Sequence, residues 1–204
     1  MTKDEAGQNR GAARQRPETP RGEVALDSRR LRALAHPVRV KLLGRLRQGG
    51  PSTATRLGEE LGLASGATSY HLRQLAAAGL VAEDEERGNR RDRWWRATHG
   101  STRFDNPDLW RDEPEAAGLY MQSVVGLLAD RMQRFVAGAE TRPPEWLNVG
   151  GLNDTMLRLT PQRAEQLTRA MEALVEGYRA ESDAPADDAV DVFVQFHVMP
   201  EAGT

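Results

Sequence analysis

At 204 residues the chain has room for one large or two small domains, but aromatics are only 5 % of it and cysteine is absent. Its cores are therefore modest, and disulfides and thiolate metal sites are excluded. No apolar run approaches the roughly 18 to 20 residues of a membrane span, and the N-terminus has no hydrophobic signal core, so a soluble, cytoplasmic protein without a membrane partner is expected. A net charge of -2 conceals a basic stretch, +7 over residues 28–98, followed by an acidic one, -9 over residues 99–204. The first suits a polyanionic partner and leaves the second for some other task.

Residues 1–26 are rich in Gln, Gly, Arg, Pro and Glu and nearly free of large apolar side chains. They cannot offset the entropy of ordering and read as a disordered tail. From Asp27 the spacing turns helical: Leu31, Leu34 and Ala35, then Val38, Val40, Leu42, Leu43 and Leu46 on the far side of His36-Pro37. Pro37 disfavours helix at the residue before it and suits a first helical turn, which predicts two helices, over 28–35 and 37–48. Gly49-Gly50-Pro51 ends the second. Ser52 or Thr53 then caps a short helix through Leu61, broken by Gly62.

The next helix, within residues 64–79, is the one around which the chain is organised. Thr68, Leu72, Leu75 and Ala76 recur at steps of three and four and face a core. Ser65, Ser69 and Arg73 fall on another face, flanked by Gly66 and Tyr70. Short polar side chains of that kind let a helix backbone come close to base edges in a major groove. Two short helices joined through a glycine-containing turn make a helix-turn-helix unit. A hairpin follows, with one strand beginning at Leu80-Val81-Ala82, a turn at Gly88-Asn89, and a return strand from Arg93 to Thr98. Arg87, Arg90, Arg91, Arg93 and Arg96 crowd onto it, a self-repulsion that a phosphate backbone would relieve. Trp94 and Trp95 point to opposite faces of the return strand, so one should pack under the helices and the other lie at the rim.

Three motifs, L-R-A-L-A-H-P-V-R-V-K-L-L (31–43), S-Y-H-L-R-Q-L with A-A-A-G-L-V (69–81) and the ending R-W-W-R-A (93–97), together resemble the winged helix-turn-helix of ArsR-type bacterial transcriptional repressors. The resemblance covers about a third of the chain. It implies that Ser65, Gly66, Ala67, Ser69, Tyr70 and Arg73 meet the major groove. Arg90, Arg91 and Arg93 would fall on the wing, and Arg39 near the DNA backbone. Many relatives of that kind sense metals, but Arg56 to Gly62 reads R-L-G-E-E-L-G, without the cysteines of the sensing motif. The histidines His36, His71, His99 and His197 are scattered singly, so no metal and no cofactor are expected.

Residues 99–113 read as a linker that docks through Phe104 and Trp110. A long helix over 114–140 follows, whose apolar stripe includes Ala117, Tyr120, Val124, Leu127, Leu128, Met132, Phe135 and Val136. The stripe is too wide for one small neighbour. Half of a two-fold interface through Tyr120, Val124, Leu127, Leu128 and Phe135 is the reading it favours, beside that of an ordinary core helix. Met156–Leu159 predicts a short strand, Thr160-Pro161 starts a helix to Tyr178, and Val190 to Met199 alternates as a second strand. The fold class expected is mainly α with small β elements. A winged helix-turn-helix domain (27–98) leads through the linker to a dimerisation domain (114–204), with a small α/β part that pairs with its twin or lines a pocket for a small organic effector.

No triad, phosphate loop or paired-carboxylate motif is visible, so no catalytic residue is assigned. The expected function is a homodimeric, sequence-specific regulator of transcription, a repressor, that binds double-stranded DNA at an inverted repeat. The alternative is a protein-interaction adaptor that keeps the scaffold without reading sequence, which the sparse face at Gly66 and Ala67 slightly favours.

Overall fold

The computed structural model describes residues 22–88, 93–147, 149, 151–181, 189–190 and 192–201. Most of the expected tail, and Arg90 and Arg91 at the tip of the hairpin, lie outside the described residues. The chain divides into two compact units, Met1–Arg142 and Pro143–Thr204, and is mainly helical with small sheets.

In the first unit α1 (Ser28–Leu34) is capped by Asp27, whose carboxylate accepts from the Arg30 amide at 2.8 Å. Its partner α2 (Pro37–Gly49) is capped by the His36 ring, with Nδ1 accepting from the Val38 amide at 3.2 Å and Pro37 in the first turn. Thr53 caps α3 (Ala54–Leu61), its hydroxyl accepting from Arg56 at 3.3 Å. Gly62 then leaves the helix at φ +67, a left-handed conformation that glycine adopts without strain. The turn delivers the chain to α4 (Ser65–Ala77). Leu31, Leu34, Leu42, Leu46, Leu57, Thr68, Leu72, Leu75 and Leu80 are each buried to the last few per cent of their surface, so all four helices share one core. Each buried leucine contributes roughly 1.5 to 3 kcal/mol of transfer free energy.

Behind the helices β3 (Val81–Glu83) and β4 (Trp94–Ala97) pair antiparallel with Val81 opposite Ala97 and Glu83 opposite Trp95. A third strand, β2 (Ser52–Thr53), joins the other edge of β4. Trp95 is 3 % exposed in the core. Trp94 is half-buried on the other face, with the Arg56 guanidinium 5.1 Å from its ring centre. This is the division that strand alternation predicts.

Two expectations are corrected in this unit. Residues 23–25, assigned to the tail, form β1 (Glu23–Ala25), parallel to β5 (Ser101–Arg103) inside the expected linker. Val24 and Leu26 are buried, and two apolar residues suffice once a ladder partner satisfies the backbone. The long helix also belongs here. After α5 (Asp108–Asp112), α6 (Pro114–Ala137) packs on α1 and α2, with Ala117 and Tyr120 buried. Phe104 lies between Trp110 and Tyr120, at ring distances of 5.3 and 5.6 Å. Glu113 takes both nitrogens of an Arg32 fork, with Nε donating at 2.9 Å. Inside, Arg47 ties α2 to the chain before β5, donating to the His99 carbonyl at 2.9 Å, and burial pushes its guanidinium down to about 10.

In the second unit the described helix is α7 (Pro161–Glu181), capped by Thr160, whose hydroxyl accepts from Arg163 at 3.3 Å. The strands expected at Met156–Leu159 and Val190–Met199 are not paired among the described residues. Alternation makes a segment fit to be a strand, but only a neighbouring backbone makes it one.

Candidate nucleic-acid interface

The exposed side of α4 is formed by small groups. Ser65, Gly66 and Ala67 are open to solvent, Ser69 is half-buried, Tyr70 is 54 % exposed, and Arg73 extends from the next turn with Nε donating to the Ser69 carbonyl at 3.3 Å. A Cβ built on Gly66 meets no atom within 4 Å, so its bareness serves nothing within the subunit. The opposite side of α4 is fixed by burial of Thr68, Leu72 and Leu75, and by the Thr68 hydroxyl, which donates to the Ala64 carbonyl at 3.1 Å.

Two residues that the motifs do not single out set the tilt of α4. Gly58, on α3, is buried where α3 and α4 cross; a Cβ there would lie 2.7 Å from the Leu63 carbonyl oxygen and 3.1 Å from the Thr68 hydroxyl. Its signal in the sequence is a glycine inside a helix, which costs about 1 kcal/mol relative to alanine and so points to a close approach. Arg29 on α1 donates through Nη2 to the carbonyl of Ala77, the last residue of α4. No local pattern announces a bond across 48 residues.

Arg39 stands beside α4. It is half-buried, its Nε makes no hydrogen bond within the described residues, and burial lowers its pKa, with Tyr70 opposing the shift. His36 and His71 meet at 4.5 Å with their rings tilted by 47°, between the start of α2 and α4, and Tyr70 meets His71 edge-on at 5.4 Å. The His71 pKa is lowered by burial first, then by His36 and Arg39, and its Nδ1 is buried without a hydrogen-bond partner among the described residues. Protonating it would put a further positive charge in that cluster.

The hairpin differs from a bare arginine comb. Arg93 is paired with Glu83 at 3.1 Å, and Arg87 with Asp84 at 3.5 Å. Arg96 is exposed on the strand. Glu83, Asp84, Glu85 and Glu86 run consecutively at the base of the wing, an acidic counterweight that a count of arginines overlooks. The Arg93–Glu83 pair is 60 % and 46 % exposed on its two sides, the setting in which ion pairs contribute about 0 to 1 kcal/mol and exchange partners readily.

Of the residues expected at a dimer interface, Tyr120 is 7 % exposed and belongs to the subunit's own core, and Val124 and Leu127 pack against that core. Leu128 is half-buried, and Phe135 lies under the Arg142 guanidinium at 4.0 Å. The stripe is as wide as the sequence implies because it serves two directions. Val125, Met132 and Val136 are 59, 40 and 59 % exposed. Together with Gly118 and Leu128 they line the helix about a third of a turn from the core face.

A helical core with a two-helix corner and a β hairpin behind it is winged helix-turn-helix architecture, a DNA-binding class. Residues 34–84, about a quarter of the chain, match a protein-family model described as a helix-turn-helix domain. That stretch of the chain accordingly carries a helix-turn-helix domain, and the ArsR-type resemblance falls on the same residues. No curated protein matches it. Among solved structures it is similar to one described as "Possible transcriptional regulator for arsenical resistance", at 26 % identity over 55 % of this chain and 98 % of that one, with a TM-score of 0.31. It is also similar to a double mutant of ZitR from Lactococcus lactis in its apo form, at 14 % identity over 71 % of this chain and 83 % of that one, with a TM-score of 0.30. At TM-scores this low the likenesses add nothing to the chain's own geometry and the domain match. No helix among the described residues is long and apolar enough to cross a membrane.

Proposed function

We propose that the protein is a homodimeric regulator that reads a specific inverted repeat in double-stranded DNA and represses transcription there. The observation that carries this reading is the bare, exposed face of α4, unoccupied by the subunit's own side chains and bordered by the half-buried donor of Arg39. Ser65, Gly66, Ala67, Ser69, Tyr70 and Arg73 meet the major groove, and Arg39 holds the adjoining phosphate. Arg90, Arg91 and Arg93 hold the backbone one wing away, Arg93 exchanging Glu83 for phosphate. The solvent-facing apolar stripe on α6 supports pairing of two subunits, which places two recognition helices about one helical turn apart on the duplex. Occlusion of a promoter by a dimer so seated gives repression.

Selection of binding sites from random duplexes at physiological salt tests the reading. An inverted repeat is the expected result, and Arg73→Ala should then cost about 1 to 3 kcal/mol on that site and far less on random DNA. The adaptor alternative has one observation in its favour, the internal pairing of Arg87 and Arg93. Enrichment of no sequence would decide for it.

A further inference from the structure

We infer that the second unit, residues 143–204, is completed by the same unit of a second copy, as a sheet built from both chains and covered by two α7 helices. The inference rests on the dimer proposed above and assigns it a second surface. The unit has the parts of a layered domain and none of the burial. Leu157 is 54 % exposed, Val192 61 %, Val194 58 % and Leu174 64 %, and no residue of the unit is buried among those described. Along α7, Ala164, Leu167, Met171, Leu174 and Tyr178 recur at steps of three and four, with Thr168 and Val175 alongside, a stripe shaped to lie on a sheet. Among the described residues of the unit, segments 152–159 and 192–199 are the candidates to supply that sheet. Even paired with each other they would make two strands, too few to cover such a helix or to stand in water by themselves.

The missing strands are of the kind the chain already carries, which is why the occupant is a second copy. Two units related by a two-fold axis bring four strands and two helices to one sandwich, each open backbone edge meeting an edge with the same alternation. The charge on α7 favours that axis. Its first half carries Arg163 and Arg169 against Glu165, and its second half Glu172, Glu176 and Glu181 against Arg179. About a two-fold perpendicular to them neighbouring α7 helices run antiparallel, so the basic half lies beside the acidic half of the other copy. The helix dipoles oppose as well. A parallel arrangement, or a foreign strand of no fixed charge, would forgo both.

Hydrogen–deuterium exchange on the full-length protein, above and below the dimer dissociation constant measured by sedimentation, is the test. The expected result is protection of the amides of 152–159 and 192–199 in the dimer and its disappearance in the monomer. Val194→Asp should remove that protection and weaken dimerisation by about tenfold or more, with exchange in the core of residues 28–98 unchanged. Protection that persists in the monomer means the strands close within one chain and overturns the inference. A dimer whose two segments stay unprotected overturns it too, leaving the α6 dimer intact and this surface to an effector or another protein. A monomer at every concentration overturns the dimer reading, and this inference with it.

Discussion

Two glycines 8 positions apart in the sequence play opposite parts. At Gly58 a methyl group would meet the backbone oxygen of Leu63 at 2.7 Å, and a carbonyl in a tight turn cannot retreat. Gly58→Ala should therefore lower stability by about 1 to 3 kcal/mol despite the better helix propensity of alanine, measured by denaturant unfolding. At Gly66 the same methyl meets nothing, so Gly66→Ala should raise stability by about 0.4 to 1 kcal/mol. If α4 enters the groove as proposed, the substitution should also weaken DNA binding, because the added methyl would meet the groove floor. Stabilisation with undiminished affinity would move the contact face elsewhere on α4. His71 provides a pH test. Its folded pKa lies below the unfolded value of about 6.5, so the unfolded chain binds the proton first and stability is complete above that value. It falls as pH drops through about 6.5 toward the folded pKa. The melting temperature should decline between pH 7.5 and pH 5.5, and His71→Gln should flatten part of that decline. His99, lowered by burial, Arg30 and Arg47, accounts for another part.

At the scale of elements, the wing and α6 each answer to one measurement. Arg90→Ala and Arg91→Ala should weaken binding to every duplex and make the dependence of log K on log salt shallower by about 1 for each phosphate left without its arginine. An unchanged slope would take the wing off the DNA. Glu83→Gln, which releases Arg93 from its carboxylate, should raise affinity for all sequences alike, since the acidic base of the wing competes with phosphate for the arginines. On α6, Val125→Glu places a charge in the middle of the outward stripe while touching nothing in the core, Val125 being 59 % exposed. Sedimentation should show a weaker dimer with an unchanged melting profile for the subunit. Tyr120→Ala should do the reverse and destabilise the subunit by about 3 to 5 kcal/mol, because it empties a core position.

For the molecule as a whole, the four helices of the corner and the hairpin are legible in the sequence because each signal is local. Asp27, His36-Pro37, Thr53 and Gly62 stop or start a helix by hydrogen bonds and dihedral angles within a few residues. The stripe of Leu72 and Leu75 needs only a helical period to show which side is buried. The strand β1, the bond from Arg29 to Ala77 and the pairing of Arg93 with Glu83 are decided by tertiary structure alone. Each joins residues whose types say nothing of one another until packing sets them side by side. The same distinction explains the long helix. Its amphipathic period is plain in the sequence, but that Tyr120 turns inward and Val125 outward follows from where α1 and α2 already stand. A hydrophobic stripe specifies how much surface must leave water, and only the arrangement of its neighbours specifies against what.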